Sequence, residues 1–171
     1  MYDTLLNKYG INQAGYYVED LEKSALEHVK LFGSGPFIYM DPVSNIIDYK
    51  GTKKELVMQT AYGQYKDIQI ELIQVLSEGP DPYRDKGSYG FHHFSIWVDD
   101  LEQAISDFQA NGFEVAMRFS SGGGLEVAYI DCVEALGHYV EMHAPINGFW
   151  DMVKQASVDW DGINPFRKMG S

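Results

Sequence analysis

Residues 13–22 read Gln-Ala-Gly-Tyr-Tyr-Val-Glu-Asp-Leu-Glu, and residues 93–102 repeat the pattern as His-Phe-Ser-Ile-Trp-Val-Asp-Asp-Leu-Glu. Each stretch is a largely apolar run with alternating character, followed by an acidic pair and then by Leu-Glu. The chain is therefore an internal duplication of one structural unit. Because the repeat aligns the two copies, polar residues that occupy equivalent positions become interpretable.

The repeated stretch predicts a strand that leads into a helix in each copy. Alternation of apolar side chains is typical of strands, and Asp20 and Asp100 stand where a carboxylate would cap the first turn of a helix. We expect the helices at about residues 21–32 and 101–111, each followed by three strands. The unit is β-α-β-β-β, present twice, which places the chain in the α+β class.

The composition of the intervening stretches sets the predicted boundaries. Residues 76–90 are rich in glycine, proline and charged residues, which is typical of a linker. Residues 41–53 are extra in the first copy and are expected to form a longer loop. The predicted regions of one integrated domain are a first module at 10–75, the linker at 76–90, a second module at 91–145, and a short helix with a C-terminal tail at 146–171.

The bulk properties exclude several classes of partner. The formal net charge is −12, whereas nucleic acids and anionic membranes attract basic surfaces. No apolar run approaches the roughly 18 residues of a spanning helix, so we expect neither a nucleic acid nor a membrane partner. Cys132 is the single cysteine, which excludes an intramolecular disulfide and favours a cytoplasmic location.

The first strand of the second copy carries a candidate metal ligand. Alternation places His93, Ser95 and Trp97 on one face of this strand. His92 is expected on the opposite face, which is mostly apolar. The repeat matches His93 with Gln13, since each stands five residues before the valine that precedes the acidic pair.

A glutamate in the last strand of each copy completes the candidate site. Glu71 lies in Ile-Glu-Leu and Glu141 in Val-Glu-Met, so each carboxylate is mid-strand between apolar neighbours. Glutamate is a poor strand former and is rarely buried without a partner, which indicates a shared purpose. Gln13, Glu71, His93 and Glu141 supply one imidazole nitrogen and three oxygen ligands. This set suits a divalent ion: zinc, which we favour, or nickel, cobalt, manganese or iron(II).

These residues give the chain a resemblance to the vicinal oxygen chelate superfamily, which contains glyoxalase I, methylmalonyl-CoA epimerase, extradiol dioxygenases and bleomycin-resistance proteins. The resemblance covers about residues 10–145, and Gly-Phe-His-His at 90–93 looks like a glyoxalase-like subfamily. It implies an open eight-stranded barrel-like sheet with helices outside, and a homodimer. Similarity to glyoxalase I assigns the metal positions to the same four residues. Gln13 stands where an extradiol dioxygenase would carry a histidine, which argues against ring cleavage.

The resemblance to glyoxalase I also implies a reaction. A metal-dependent isomerase or lyase of this type abstracts a proton next to a metal-coordinated carbonyl, with Glu141 as the expected base and Glu71 as the second choice. One alternative is an acyl-CoA epimerase similar to methylmalonyl-CoA epimerase. The other is a non-enzymatic small-molecule binding protein of the antibiotic-binding type, against which the presence of all four ligands counts.

Matched positions also predict the wall around a small-molecule carbonyl substrate. The expected substrate-binding residues are Tyr17, Ser95, Trp97, Tyr139, His143 and, near the mouth of the site, Arg118. Tyr17 stands where glyoxalase I commonly carries an arginine for glutathione, so an apolar or aromatic compound is expected instead. The sequence leaves open whether glutathione or coenzyme A is involved, and whether the site lies within one chain or across a dimer.

Overall fold

The computed structural model describes residues 4–121, 123–146 and 148–170. The first repeat and the short helix before it comprise α1 Leu5–Tyr9, β1 Gln13–Tyr17, α2 Leu21–Phe32, β2 Phe37–Tyr39, β3 Val43–Tyr49, β4 Thr52–Tyr65 and β5 Ile68–Val75. The remaining elements are α3 Pro82–Asp85, β6 Gly90–Trp97, α4 Leu101–Gln109, β7 Val115–Ser120, β8 Glu126–Ile130, α5 Val133–Leu136, β9 Tyr139–His143, α6 Phe149–Ser157 and β10 Phe166–Lys168. Asn147 and Ser171 of the predicted tail lie outside the described residues. Among those that are described, no helix has the length and apolar character needed to cross a membrane.

The main helix of each repeat begins where its acidic pair predicts. The backbone N–H of Lys23 donates to Asp20 Oδ1 at 2.9 Å, and that of Gln103 donates to Asp100 Oδ1 at 3.0 Å. Such a cap satisfies an N–H group without an intrahelical partner and stabilises the helix by about 1 kcal/mol. Both predicted N-caps are confirmed.

The strands close into a barrel with the helices outside. Within the described ranges, eight strands form a ring in the order β4-β3-β7-β8-β9-β6-β1-β5, and β5 pairs again with β4. The predicted α+β class and eight-stranded barrel-like sheet are confirmed. The sheet is closed rather than open, because β3 of the first repeat pairs antiparallel with β7 of the second.

Residues 41–53, which we expected to form a loop, contain strand β3. This strand pairs with β4 over its whole length, and its side chains alternate, with Asn45, Ile47 and Tyr49 buried and Ile46 exposed. The loop prediction was wrong because the extra element of the first repeat is β2. It lies outside the ring, between the end of β4 and β10.

Apolar side chains pack in clusters inside and outside the barrel. One cluster fills part of the interior and includes Tyr49 and Tyr83. The others lie outside, where Ile105 of α4 packs against Met142 and Ala25 of α2 packs in a separate cluster. Burial of each large apolar side chain stabilises the fold by about 1.5–3 kcal/mol. The predicted linker contributes to the interior, since it carries the fully buried Tyr83.

Candidate metal centre

The strand register places Glu71 and His93 in one row across the barrel wall, with Gly15 between them. Gly15 of β1 pairs with Glu71 of β5 on one side and with His93 of β6 on the other. A Cβ atom at position 15 would lie 2.0 Å from Cε1 of the His93 ring. Position 15 therefore requires glycine, because the His93 ring covers the Cα atom.

The next row holds Gln13 and Glu141, with Ser95 between them. Ser95 of β6 pairs with Gln13 of β1 and with Glu141 of β9. Both rows have the same composition, as the duplication requires: a glutamate from the last strand of one repeat, a small residue, and a predicted ligand from the first strand of the other repeat. The four predicted metal ligands come from one chain and are all buried, with exposed fractions between 0% and 7%.

Three of the predicted ligands meet around one point. His93 Nε2 lies 3.5 Å from Oε2 of Glu71 and 3.4 Å from Oε2 of Glu141. One ligand atom from each residue can be chosen so that all three lie within 4.8 Å of one another. His93 Nε2 forms no hydrogen bond with any residue that the structure describes. An imidazole nitrogen that lies between two buried carboxylates without a hydrogen bond to either fits a borderline divalent ion.

The fourth predicted ligand, Gln13, presents an unpartnered oxygen in the adjacent row. Gln13 Nε2 donates to Gln69 Oε1 at 2.8 Å. Gln13 Oε1 is buried and has no hydrogen-bond partner over the described ranges. A buried carbonyl oxygen without a partner is unfavourable, so Gln13 Oε1 supports the fit of these residues to a metal ion.

The charges of the cluster stabilise one another in the absence of a metal ion. Burial alone would lower the pKa of His93, but the Glu141 and Glu71 carboxylates override it and raise this pKa to about 9. Burial likewise opposes ionisation of Glu141, yet His93 lowers the pKa of Glu141 to about 2. A proton on His93 therefore offsets part of the negative charge of the carboxylates at neutral pH. A divalent ion must displace this proton to bind Nε2.

A β-bulge turns His92 into the barrel beside His93. Gly15 pairs with His93, but the next residue, Tyr16, pairs with Phe91, so His92 is skipped in the register. A bulge of this kind breaks the alternation of the two faces. The prediction that His92 lies on the opposite face was therefore wrong. His92 is fully buried, and its Nδ1 lies 3.0 Å from Nδ1 of His93.

His92 fixes the tautomer of His93. His92 Nε2 lies 3.2 Å from the carbonyl oxygen of Pro82, which only accepts hydrogen bonds, so this nitrogen carries a proton. Burial, with His93 alongside, holds the pKa of His92 well below its usual range, which leaves His92 Nδ1 as an acceptor. His93 Nδ1 therefore donates to it. The lone pair of a neutral His93 then lies on Nε2, on the side of the carboxylates.

Two tyrosines that the sequence analysis missed stand beside the carboxylates. Tyr62 of β4 pairs with Glu71, and Tyr129 of β8 pairs with Glu141. Burial and the nearby carboxylates raise the pKa of each tyrosine well above 10, so both hydroxyls stay protonated. Tyr83 holds Tyr129 in place, with the two hydroxyl oxygens 3.1 Å apart. The repeat carried the signal for the pair, because each tyrosine lies on the strand that precedes a ligand glutamate.

The cluster borders a cavity of about 310 Å³. Gln13, Glu71 and Glu141 form part of its wall. The rest is mainly apolar and aromatic: Met40, Val43, Asn45, Met58, Thr60, Tyr62, Tyr83, Phe119, Ser121, Leu125, Val127, Tyr129, His143, Ile146, Phe149 and Trp150. No lysine or arginine is present among these described lining residues. The cavity is therefore suited to a small, largely apolar molecule that brings a polar group to the carboxylates.

The structure places one of the predicted substrate-binding residues, His143, in the cavity wall. His143 Nε2 lies 4.0 Å from Oε2 of Glu141. His143 Nδ1 lies 2.6 Å from the carbonyl oxygen of Ala144 and must donate to it. The ring of His143 lies nearly parallel to that of Trp150, at a centroid distance of 6.0 Å. Trp150 of α6 is thus a wall residue that the sequence analysis did not identify.

The other predicted substrate-binding residues lie behind the cavity wall or outside it. Tyr17 and Tyr139 pack in the apolar cluster inside the barrel, and Ser95 is fully buried within its row. Trp97 packs against another tryptophan, Trp150, with ring centroids 5.3 Å apart.

Arg118 also lies away from the cavity lining. Its side chain is partly exposed and forms an ion pair with Glu102 of α4. The structure therefore does not bring Arg118 to the cluster.

The sequence of residues 12–129 matches the family described as the glyoxalase/bleomycin resistance protein/dioxygenase superfamily. The chain belongs to this superfamily. The resemblance inferred from the repeat and the four ligand positions is thereby confirmed, because the match extends over more than half of the chain. No curated protein sequence matches the chain.

Solved structures share the superfamily's architecture with this chain. Methylmalonyl-CoA epimerase from Mycobacterium tuberculosis is similar with a TM-score of 0.57 and 18% identity, and the likeness covers 87% of this chain and 95% of that one. The hypothetical protein BH1468 from Bacillus halodurans C-125 has a TM-score of 0.55 and 20% identity, with 79% and 93% covered. At these identities the likeness shows the fold alone.

Proposed function

We propose that this superfamily member is a metal-dependent enzyme of the glyoxalase I type, which abstracts a proton next to a carbonyl group of a small apolar or aromatic compound. The observation that carries the proposal is the buried cluster of His93, Glu71 and Glu141, whose central nitrogen has no hydrogen-bond partner among the described residues. The cluster borders an apolar cavity large enough for a small molecule.

Gln13, Glu71, His93 and Glu141 would hold the metal ion. We favour zinc, because one imidazole with oxygen ligands is within its usual range, and nickel, cobalt, manganese and iron(II) are the alternatives. When bound, a divalent ion acts as a Lewis acid and acidifies a C–H bond next to a carbonyl group.

Glu141 is the proposed base. Its carboxylate lines the cavity and stays ionised at neutral pH, since His93 lowers its pKa to about 2. In the proposed step the substrate C–H bond breaks, its electron pair stays on the substrate, and the proton moves to a Glu141 oxygen. Return of the proton to a neighbouring carbon or to the opposite face gives isomerisation or epimerisation. Glu71 is the second candidate for this role.

The surrounding residues orient these groups and exclude water. His92 holds His93 through its Nδ1 atom, 3.0 Å away, and Tyr129 helps to keep Glu141 ionised. Trp150 and Phe149 of α6 cover the cavity with aromatic surface and pack on Tyr62. A dry site of this kind strengthens the electrostatic interactions that the reaction requires.

The alternative functions have weaker support. Assignment as an acyl-CoA epimerase has only the likeness in fold to a methylmalonyl-CoA epimerase as support. The described cavity wall offers no lysine or arginine for an anionic group. A non-enzymatic binding protein would not require the buried ligand cluster. A homodimer and a cytoplasmic location remain part of the proposal; the cluster itself needs no second chain, since one chain supplies its residues.

Solvent deuterium exchange tests the proposal. The probe is 2-hydroxyacetophenone, an aromatic compound that carries a hydroxyl and a carbonyl group on adjacent carbon atoms. We expect the zinc-loaded protein to exchange the C–H hydrogens next to the carbonyl in D₂O, as followed by NMR. Glu141→Gln should slow the exchange by about 10²–10⁴-fold, whereas Glu126→Gln, at an exposed position on β8, should not change it. Exchange no faster than in buffer, or equal rates in the two variants, would contradict the proposal.

A further inference from the structure

Asn45 presents a buried carboxamide to the cavity. It lies on β3, on the same face as Ile47 and Tyr49, which pack inside the barrel. Asn45 lines the cavity and only 6% of it is exposed. Its side chain forms no hydrogen bond with the residues described by the structure. A carboxamide offers two donors and an acceptor, so an Asn45 side chain that faces the cavity without a protein partner is available to a ligand.

The position of β3 sets Asn45 apart from the metal cluster. In the ring of strands, β3 is four steps from β6 in either direction, so it lies on the opposite wall of the barrel from His93. The cavity lies between these walls and includes both Asn45 and the ligand carboxylates. A molecule that brings its carbonyl group to the cluster and extends across the cavity therefore reaches Asn45 with its far end.

The other residues of the cavity wall indicate which chemical group the end of the substrate next to Asn45 carries. Val43 and Met58, which flank Asn45 in the strand register, are apolar. The described wall offers no lysine or arginine to balance an anion, and Glu71 and Glu141 already place negative charge in the cavity. The group opposite the carboxamide is therefore neutral.

We propose that Asn45 is a specificity-determining residue that binds a neutral hydroxyl or carbonyl group at the end of the substrate remote from His93. This inference rests on the proposed function for the orientation of the substrate. It narrows the substrate class to an apolar or aromatic carbonyl compound with a second neutral hydrogen-bonding group at its far end.

A pair of probes tests this assignment. 2-Hydroxyacetophenone and 2,4′-dihydroxyacetophenone differ only in a hydroxyl at the far end of the ring. We expect the zinc-loaded protein to bind the dihydroxy compound about 5- to 10-fold more tightly in calorimetry, as one hydrogen bond predicts. Asn45→Leu should remove this preference, whereas Ser44→Ala, at the exposed neighbouring position, should keep it. No preference in the wild-type protein, or a preference that survives Asn45→Leu, overturns the proposal.

Thermal unfolding without ligand supplies an independent readout. Because the Asn45 side chain has no hydrogen-bond partner among the described residues, Asn45→Leu is not expected to lower the Tm of the ligand-free protein. A Tm lower by about 2–4 °C, which corresponds to about 1 kcal/mol, assigns Asn45 a structural role and overturns the proposal. Failure of the deuterium exchange with an intact Asn45-dependent preference would reject the proposed reaction alone. The reverse pattern would reject the role of Asn45 alone.

Discussion

The two repeats carry a glutamate and a tyrosine at equivalent places but differ in the ligand that their first strands supply. Glu71 with Tyr62 and Glu141 with Tyr129 are matched cross-strand pairs. The first strands provide Gln13 in one repeat and His93 in the other. The carboxylates are thus the common part of the candidate site, and the proposed first-strand ligand is the part in which the repeats have diverged.

The residues that hold the two first-strand side chains in place also differ between the repeats. Gln13 is held by one hydrogen bond from its Nε2 to Gln69 on the neighbouring strand. His93 is held by His92, which a bulge brings into the barrel and which is anchored on the Pro82 carbonyl. As proposed ligands, His93 needs a partner that sets its tautomer, whereas Gln13 needs one that orients its amide.

The largest effect is expected from Gly15→Ala. Gly15 and Ser95 occupy matched positions between the proposed ligands, but only at Gly15 does a neighbouring ring exclude a larger side chain. The new Cβ would lie 2.0 Å from the buried His93 ring, so we expect a loss of about 2–3 kcal/mol in the free energy of unfolding and loss of the metal site. At the matched position, Ser95→Ala removes a hydroxyl that has no partner among the described residues and should cost below about 1 kcal/mol.

Denaturant unfolding and metal analysis of these variants check this contrast. In the His93→Ala background the clash is absent, so Gly15→Ala should cost much less free energy of unfolding there than in the wild-type background. Equal costs for the two single variants, or the same cost of Gly15→Ala in both backgrounds, would show that the His93 ring does not restrict position 15.

Much of the architecture, and the burial of Gln13, Glu71, His93 and Glu141, could be predicted from the sequence because the duplication presents each structural position twice. Alternation within a regular strand is a strong constraint, so His93 was correctly placed inside the barrel. The N-cap role of Asp20 and Asp100 followed from local chemistry, which needs no tertiary information.

The features that could not be predicted depend on contacts between distant segments. A bulge depends on the pairing of β6 with β1, so strict alternation misplaced His92. The burial of Tyr83 depends on how a segment with linker composition packs on the barrel. Asn45 was overlooked because residues 41–53 were expected to form a loop, and only the closure of the ring turns its side chain into the cavity.

An intermediate effect is expected from the residues that support the first-strand ligands. His92→Phe removes the acceptor for His93 Nδ1 and should lower zinc affinity by about 10- to 100-fold. Gln69→Leu removes only the hydrogen bond that orients the Gln13 amide and should lower zinc affinity by less than about tenfold. His138→Phe is the control, since His138 packs between Phe91 and Phe94. Competition with a chelator measures the affinities, and equal losses in the three variants would remove the distinction between the repeats.

The smallest effect, for a change of one pH unit, is the pH dependence that His93 confers. Without a metal ion its pKa is raised to about 9, so below pH 9 zinc competes with one proton for Nε2. Apparent zinc affinity should therefore fall about tenfold for each unit of pH below 9 and level off above it. His93→Gln makes the two repeats alike at this position. In this variant we expect most of the zinc affinity to be lost and the remaining affinity to depend little on pH.

Calorimetric titration of the metal-free protein with zinc at pH 7, in buffers of different ionisation enthalpy, tests most directly whether side chains from both repeats hold one ion. We predict saturation at one zinc per chain with the release of about one proton, and loss of this binding in both Glu71→Gln and Glu141→Gln. Absence of saturable binding, or binding that survives either substitution without proton release, would contradict the account.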